Sequence, residues 1–95
     1  MATIRVGDFE WDSAKAAANV RKHGVSFAEA ISVFLDPLAL DVVDEVHADR
    51  WIVIGQTRGA RTVLVVYTER ETGTILRLIS ARPATTHERR TYEAQ

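Results

Sequence analysis

Over residues 12–37 apolar positions recur at helical spacing; beyond them they alternate or run on continuously, as strands do. Asp12 is placed to cap a helix running to about His23, where Gly24 supplies the left-handed residue that ends it. Within this helix Ala14, Ala16, Ala17, Ala18 and Val20 fall to one side, while Lys15, Asn19 and Lys22 form a polar stripe expected to face outward. Ser26 and Glu29 read as a capping box for a second helix. In it Phe27, Ala30, Ile31, Phe34 and Leu35 repeat at i, i+3, i+4, i+7 and i+8 until Asp36-Pro37 stops it.

Strands are predicted near 38–43, 50–57, 62–69 and 74–82. The connections at Arg58-Gly59-Ala60-Arg61 and Arg70-Glu71-Thr72-Gly73 are short, so neighbouring strands should run antiparallel in a meander. Trp51, Val53, Val63, Val65 and Tyr67 alternate with Ile52, Ile54, Leu64 and Val66, so the middle strands are apolar on both faces and both need cover. Helices supply one cover. The last helix, the N-terminal segment or a protein partner supplies the other. Thr85 with Glu88 forms a second capping box and opens a terminal helix carrying His87, Arg89, Arg90 and Tyr92, too short to persist undocked. The expected fold class is α+β: two N-terminal helices, an antiparallel four-stranded sheet and a short C-terminal helix.

At 95 residues the chain is expected to form a single domain over 1–95. No stretch approaches the roughly 20 apolar residues of a membrane span, and residues 1–10 lack the pattern of a signal peptide, so a soluble, cytoplasmic protein without membrane attachment is expected. Cysteine is absent and His23, His47 and His87 have no tight ligand spacing, so neither a metal nor another cofactor is expected. The net charge of −1 conceals a division along the chain. Residues 1–49 hold four Lys/Arg against nine Asp/Glu, and residues 50–95 hold eight Arg against four Glu. An all-arginine basic half suits phosphate and base stacking, although a solvated surface of mixed charge has the same count.

Phe9-Glu10-Trp11-Asp12, Lys15, Asn19, Lys22-His23-Gly24-Val25-Ser26-Phe27, Asp36-Pro37, Tyr67-Thr68-Glu69-Arg70, Arg77 through Arg82-Pro83-Ala84-Thr85, Glu88-Arg89 and Tyr92 together carry a resemblance over nearly the whole chain. In that order and spacing they resemble the BrnT toxins of bacterial type II toxin–antitoxin modules. The resemblance implies a RelE-like fold, messenger RNA as substrate, free or on the ribosome, and cleavage without metal. It also implies a hetero-oligomer with a BrnA-like ribbon-helix-helix antitoxin, which alone contacts operator DNA.

RNA carries its own nucleophile, the 2′-hydroxyl. Metal-free cleavage therefore needs a base for that proton, positive groups for the phosphorane and an acid for the departing 5′-oxygen, leaving a 2′,3′-cyclic phosphate. His23 stands at a helix end beside Lys22, and a cationic neighbour favours the neutral ring that acts as base; capping of helix carbonyls is the alternative role. Arg82 ends the last strand just before a proline and is the favoured phosphate ligand. Strand alternation turns Arg77 to the opposite side from Arg82 unless a bulge changes the register, leaving Arg77 to pair with Glu69 or Glu88 or to lie under the antitoxin. Glu69 is a further candidate for proton transfer. Arg50, Arg70, Arg77, Arg89 and Tyr92 are candidate RNA contacts, while Glu88 is assigned to its capping box. The catalytic candidates are thus His23, Lys22, Glu69 and Arg82. The alternative is a subunit without catalysis that binds an antitoxin or nucleic acid; no RNP-like aromatic pair or helix-turn-helix signature favours a pure nucleic-acid module.

Overall fold

Residues 3–12, read in the sequence only as a possible cover, form a hairpin: strands β1 (Thr3–Val6) and β2 (Phe9–Asp12) flank a two-residue turn in which Gly7 has φ 59°. The computed structural model describes residues 2–95. Helix α1 (Ser13–His23) follows, capped by the Asp12 carboxylate, which accepts the Lys15 N–H, and ended by Gly24 at φ 71°. Next come helix α2 (Phe27–Ala30), a 3-10 segment (Ile31–Leu35), strands β3 (Leu40–Val42), β4 (Trp51–Gln56), β5 (Thr62–Arg70) and β6 (Ile75–Pro83), and helix α3 (Thr86–Glu93). Among the described residues no helix is long and apolar enough to cross a membrane.

The sheet order is β1-β2-β6-β5-β4-β3, so the expected four-strand meander is present but forms only part of a six-stranded sheet. The hairpin joins it through β2, which runs parallel to β6 and makes the sheet mixed rather than purely antiparallel. The second helix also departs from expectation, because only Phe27–Ala30 is α-helical before the chain tightens. That 3-10 segment brings Val33 against β4 so closely that a Cβ on Gly55 would lie 2.7 Å from the Val33 Cγ1, which is why this strand position is glycine. Its capping box is half formed. Ser26 accepts the Glu29 N–H, while the Glu29 carboxylate turns to Arg61 and Thr57 and ties α2 to the β4–β5 turn.

The core fills the sheet face beneath α1, α2 and the 3-10 segment: Val25, Phe27, Ala30 and Val33 meet Val53, Val63, Val65, Leu78 and Ala81. Trp11 packs edge-on against Phe27, and Phe34 lies between Phe9, tilted at 5.0 Å, and Tyr67, edge-on at 5.1 Å between centroids. The opposite face consists of cross-strand rows. Leu40, Ile54, Leu64 and Arg82 form one row, Val42, Ile52, Val66 and Ser80 the next, and Thr68, Arg77, Glu10 and Arg5 a charged row. Helix α3 packs on β4 and covers the first row, where Ile54 and Leu64 are buried.

Side-chain direction differs from simple periodicity in α1 and in β6. The Lys15–Asn19–Lys22 stripe does not face wholly outward: Asn19 is 7% exposed and Val20 46%. An alanine-rich helix buries little more on one side than on another, so hydrogen bonding chose its orientation. In β6 the register with β5 shifts from Val66↔Ser80 to Tyr67↔Leu78 and leaves Ile79 unpaired. This bulge puts Arg77, Ser80 and Arg82 on one face.

Candidate functional site

Strand β2 pairs with β6 only at Phe9↔Leu76 and Glu10↔Arg77, so the edge of β6 beyond Leu78 is open and α1 lies along it. Asn19 substitutes for a strand partner there. Its Nδ2 donates to the carbonyls of Ala81 and Val25, both at 2.8 Å, and its Oδ1 accepts the Ala81 N–H at 3.1 Å. All three bonds are buried, and with the amide fully used α1 has one seat on the sheet. That seat holds the last turn of α1 over the bulge. Lys15, Lys22 and His23 line a depression of about 210 Å³ with Ala18, Asn19, Ile79 and Ser80. The lining contains no carboxylate, so its field favours an anion.

Ser80 joins this depression to Arg82, two residues further along the same strand face. Arg82 is held in a fork by Glu88 of α3, Nη1 to Oε1 at 2.7 Å and Nη2 to Oε2 at 2.9 Å, and Nη1 also reaches the Pro83 carbonyl. The hydrogen bonds from Arg82, with those of the Thr85 cap, outweigh burial and hold the Glu88 carboxyl at about 2; the Arg82 guanidinium is raised in turn. Glu88 thus completes its capping box and orients the arginine at the same time. A guanidinium has five N–H donors, and these contacts leave the Nε–H and one Nη2–H of Arg82 without a partner among the described residues.

Arg77 pairs with neither Glu69 nor Glu88. Its partner is Glu10 of β2, which also receives Arg5 at 3.1 Å, and Arg5 lies 3.7 Å from Glu71. The Arg77 bond, aided by Arg5 and opposed by burial, lowers the Glu10 carboxyl. This ladder neutralises Arg77. Glu69 and Arg70 sit at the far end of β5: Arg82 lies opposite Leu64, five residues before Glu69, or about 17 Å along the strand. Ser80, at the depression, lies opposite Val66, three residues or about 10 Å from Glu69, so the structure separates Glu69 most from Arg82, and its carboxylate hangs over the turn at Gly73. Arg50 lies away from the depression, beside Trp51 at the β3 edge. Arg89 is exposed on α3. The Tyr92 hydroxyl donates to Asp36, whose carboxylate, with burial second, pushes the phenol up to about 12.

Sequence reasoning passed over Ser80 and left Lys15 to a structural role; both line the depression. Alternation places Ser80 on the Arg82 face, but only the seating of α1 against the β6 edge brings it beside Lys22 and His23. Among the described residues no group of three or more His, Cys, Asp or Glu side chains is arranged to hold a metal ion. What gathers at the β6 edge is two lysines and an imidazole around a hydroxyl, able to bind a phosphodiester.

Residues 11–88 match the family model described as ribonuclease toxin, BrnT, of type II toxin–antitoxin system. The 1.1 Å crystal structure of the ribonuclease toxin BrnT of Brucella abortus is similar, with TM-score 0.66 and 31% identity over 80% of this chain and 94% of that one. No curated protein sequence matches.

Proposed function

The chain belongs to the BrnT family of ribonuclease toxins of type II toxin–antitoxin systems, and from that premise we propose that it cuts RNA without a metal at the depression beside the β6 edge. The observation that carries this reading is the carboxylate-free cluster of Lys15, Lys22 and His23 next to Ser80, with Arg82 two residues away. His23 takes the proton of the 2′-hydroxyl as its oxygen attacks phosphorus. Arg82, through its two unused N–H groups, and Lys22 stabilise the added charge of the phosphorane. The P–O5′ bond then breaks, and Lys22 protonates the departing 5′-oxygen. The products are a 2′,3′-cyclic phosphate and a 5′-hydroxyl. Glu69 has no part in this reading, and Arg77 and Tyr92 act through their protein partners rather than on RNA. A BrnA-like ribbon-helix-helix antitoxin neutralises the activity in the cell, and growth arrest follows when it is absent.

The test is cleavage of a defined RNA by purified chain in excess EDTA, with end-group analysis. We expect cyclic-phosphate ends, a loss of about 10²–10³-fold for Arg82→Ala and about 10²–10⁴-fold for His23→Ala. An activity abolished by EDTA and restored by a divalent ion, or a fully active His23→Ala, would overturn the mechanism.

A further inference from the structure

The opposite end of the sheet carries a different surface. Strand β3 is terminal, and among the described residues no strand pairs with its outer edge. The loop after it exposes Val43 (79%) and Val46 (83%), and Trp51 beside it is half exposed (50%). Val42, Val43 and Trp51 contribute to a depression of about 240 Å³, large enough for one apolar side chain. Asp41 and Asp44 line the depression, Glu45 and Asp49 stand in the same loop, and against these four carboxylates the lining carries one arginine, Arg50, and one histidine, His47. Asp44 shapes the loop from within, accepting the N–H groups of Val46 and His47 at 2.9 Å each.

This combination discriminates among occupants. Four carboxylates against the single Arg50 leave the edge net acidic, which disfavours the backbone phosphates of RNA and a second copy bringing the same net negative edge against itself. A protein segment with apolar and basic side chains meets both the apolar depression and the charge. We propose that the β3 edge is the docking surface of the antitoxin, which adds an extended Lys/Arg-bearing segment as a further strand and seats an apolar side chain against Trp51 and Val43. The inference rests on the toxin–antitoxin reading above and gives the partner a place. From this edge the row Val42, Ile52, Val66, Ser80 crosses the sheet to the cationic depression, three strand spacings or about 14 Å away. A partner anchored at β3 extends along that row over Ser80 and blocks RNA.

The experiment pairs calorimetry with growth assays, using as probe a purified BrnA-like ribbon-helix-helix antitoxin that rescues growth from the wild-type chain. The variants are Val43→Lys/Val46→Lys, Asp41→Lys/Glu45→Lys, and Leu35→Lys as an exposed apolar control elsewhere. The valine variant should arrest growth as the wild type does, escape rescue by the antitoxin and bind it at least about 30-fold more weakly. The charge reversal should weaken binding about tenfold, and Leu35→Lys should leave it unchanged. Wild-type affinity in both β3-edge variants would overturn the proposal. So would a wild-type dimer that the valine substitutions dissociate without affecting antitoxin affinity, or a loss of RNA affinity in place of antitoxin affinity. A wild type that arrests growth without cutting RNA would count against the ribonuclease reading, while the calorimetry would still decide the docking site.

Discussion

Helices α1 and α3 are both fastened to β6, by opposite kinds of chemistry. A neutral amide holds α1: Asn19 is buried and makes three hydrogen bonds to backbone groups, none of which titrates. Charged and polar contacts hold α3, chiefly Glu88 on Arg82 and Tyr92 on Asp36, and no α3 residue is fully buried. The difference teaches which part of the site is fixed and which can yield. Lys22 and His23 stand on the rigid helix, whereas Arg82 is gripped by a helix whose hold depends on pH and salt.

Removing the neutral anchor should have the largest effect. Asn19→Ala leaves the Ala81 N–H and C=O and the Val25 C=O buried without partners, and we expect a loss of about 3–5 kcal/mol of global stability by denaturant titration. A loss below ~1 kcal/mol would mean that α1 is seated by packing instead. Glu88→Gln retains size and capping capacity but removes the charge. Because the pair is partly exposed, about 1 kcal/mol is expected, seen as faster amide exchange confined to α3. Equal acceleration across α1 would erase the contrast between the two helices.

Acid should reproduce the glutamine variant. The Glu88 carboxyl lies at about 2 in the folded chain against an ordinary 4.5, so its contribution is complete above 4.5 and disappears as pH falls through about 2. Far-ultraviolet circular dichroism and α3 amide exchange across that window should show the helix loosening before α1. Tyr92 has the reverse sign: raised from 10.0 to about 12, it supports α3 fully below pH 10 and ceases to as pH passes 12. Tyr92→Phe, the smallest change, should cost about 0.5–1.5 kcal/mol at neutral pH and abolish that alkaline step. A step that persists in the phenylalanine variant would belong to another group.

Much of the fold was legible because its signals are local. Asp12 and Gly24 bracket α1, Thr85 and Glu88 open α3, and alternation located the four meander strands to within two residues at each end. The N-terminal hairpin was legible too and was missed: Ile4, Val6, Phe9 and Trp11 alternate around Gly7-Asp8, a pair suited to a two-residue turn. That omission hid Glu10, the partner of Arg77. Of the candidate site, Lys22, His23 and Arg82 were marked by their positions at element ends. Their relation was not, because it depends on one unpaired residue, Ile79.

By itself the sequence determined the caps, the strand periods, the family likeness and the residues able to handle a phosphate, since each depends on neighbours a few positions apart. Tertiary structure alone decided which side of α1 faces the sheet, that Arg77 and Arg82 share a face, and that Arg77 is neutralised while Arg82 keeps two free donors. The physical reason is range. Asn19 bonds to Ala81 across 62 positions and Glu10 to Arg77 across 67, and such choices are made by strand register and by the cost of leaving a buried polar group unpaired.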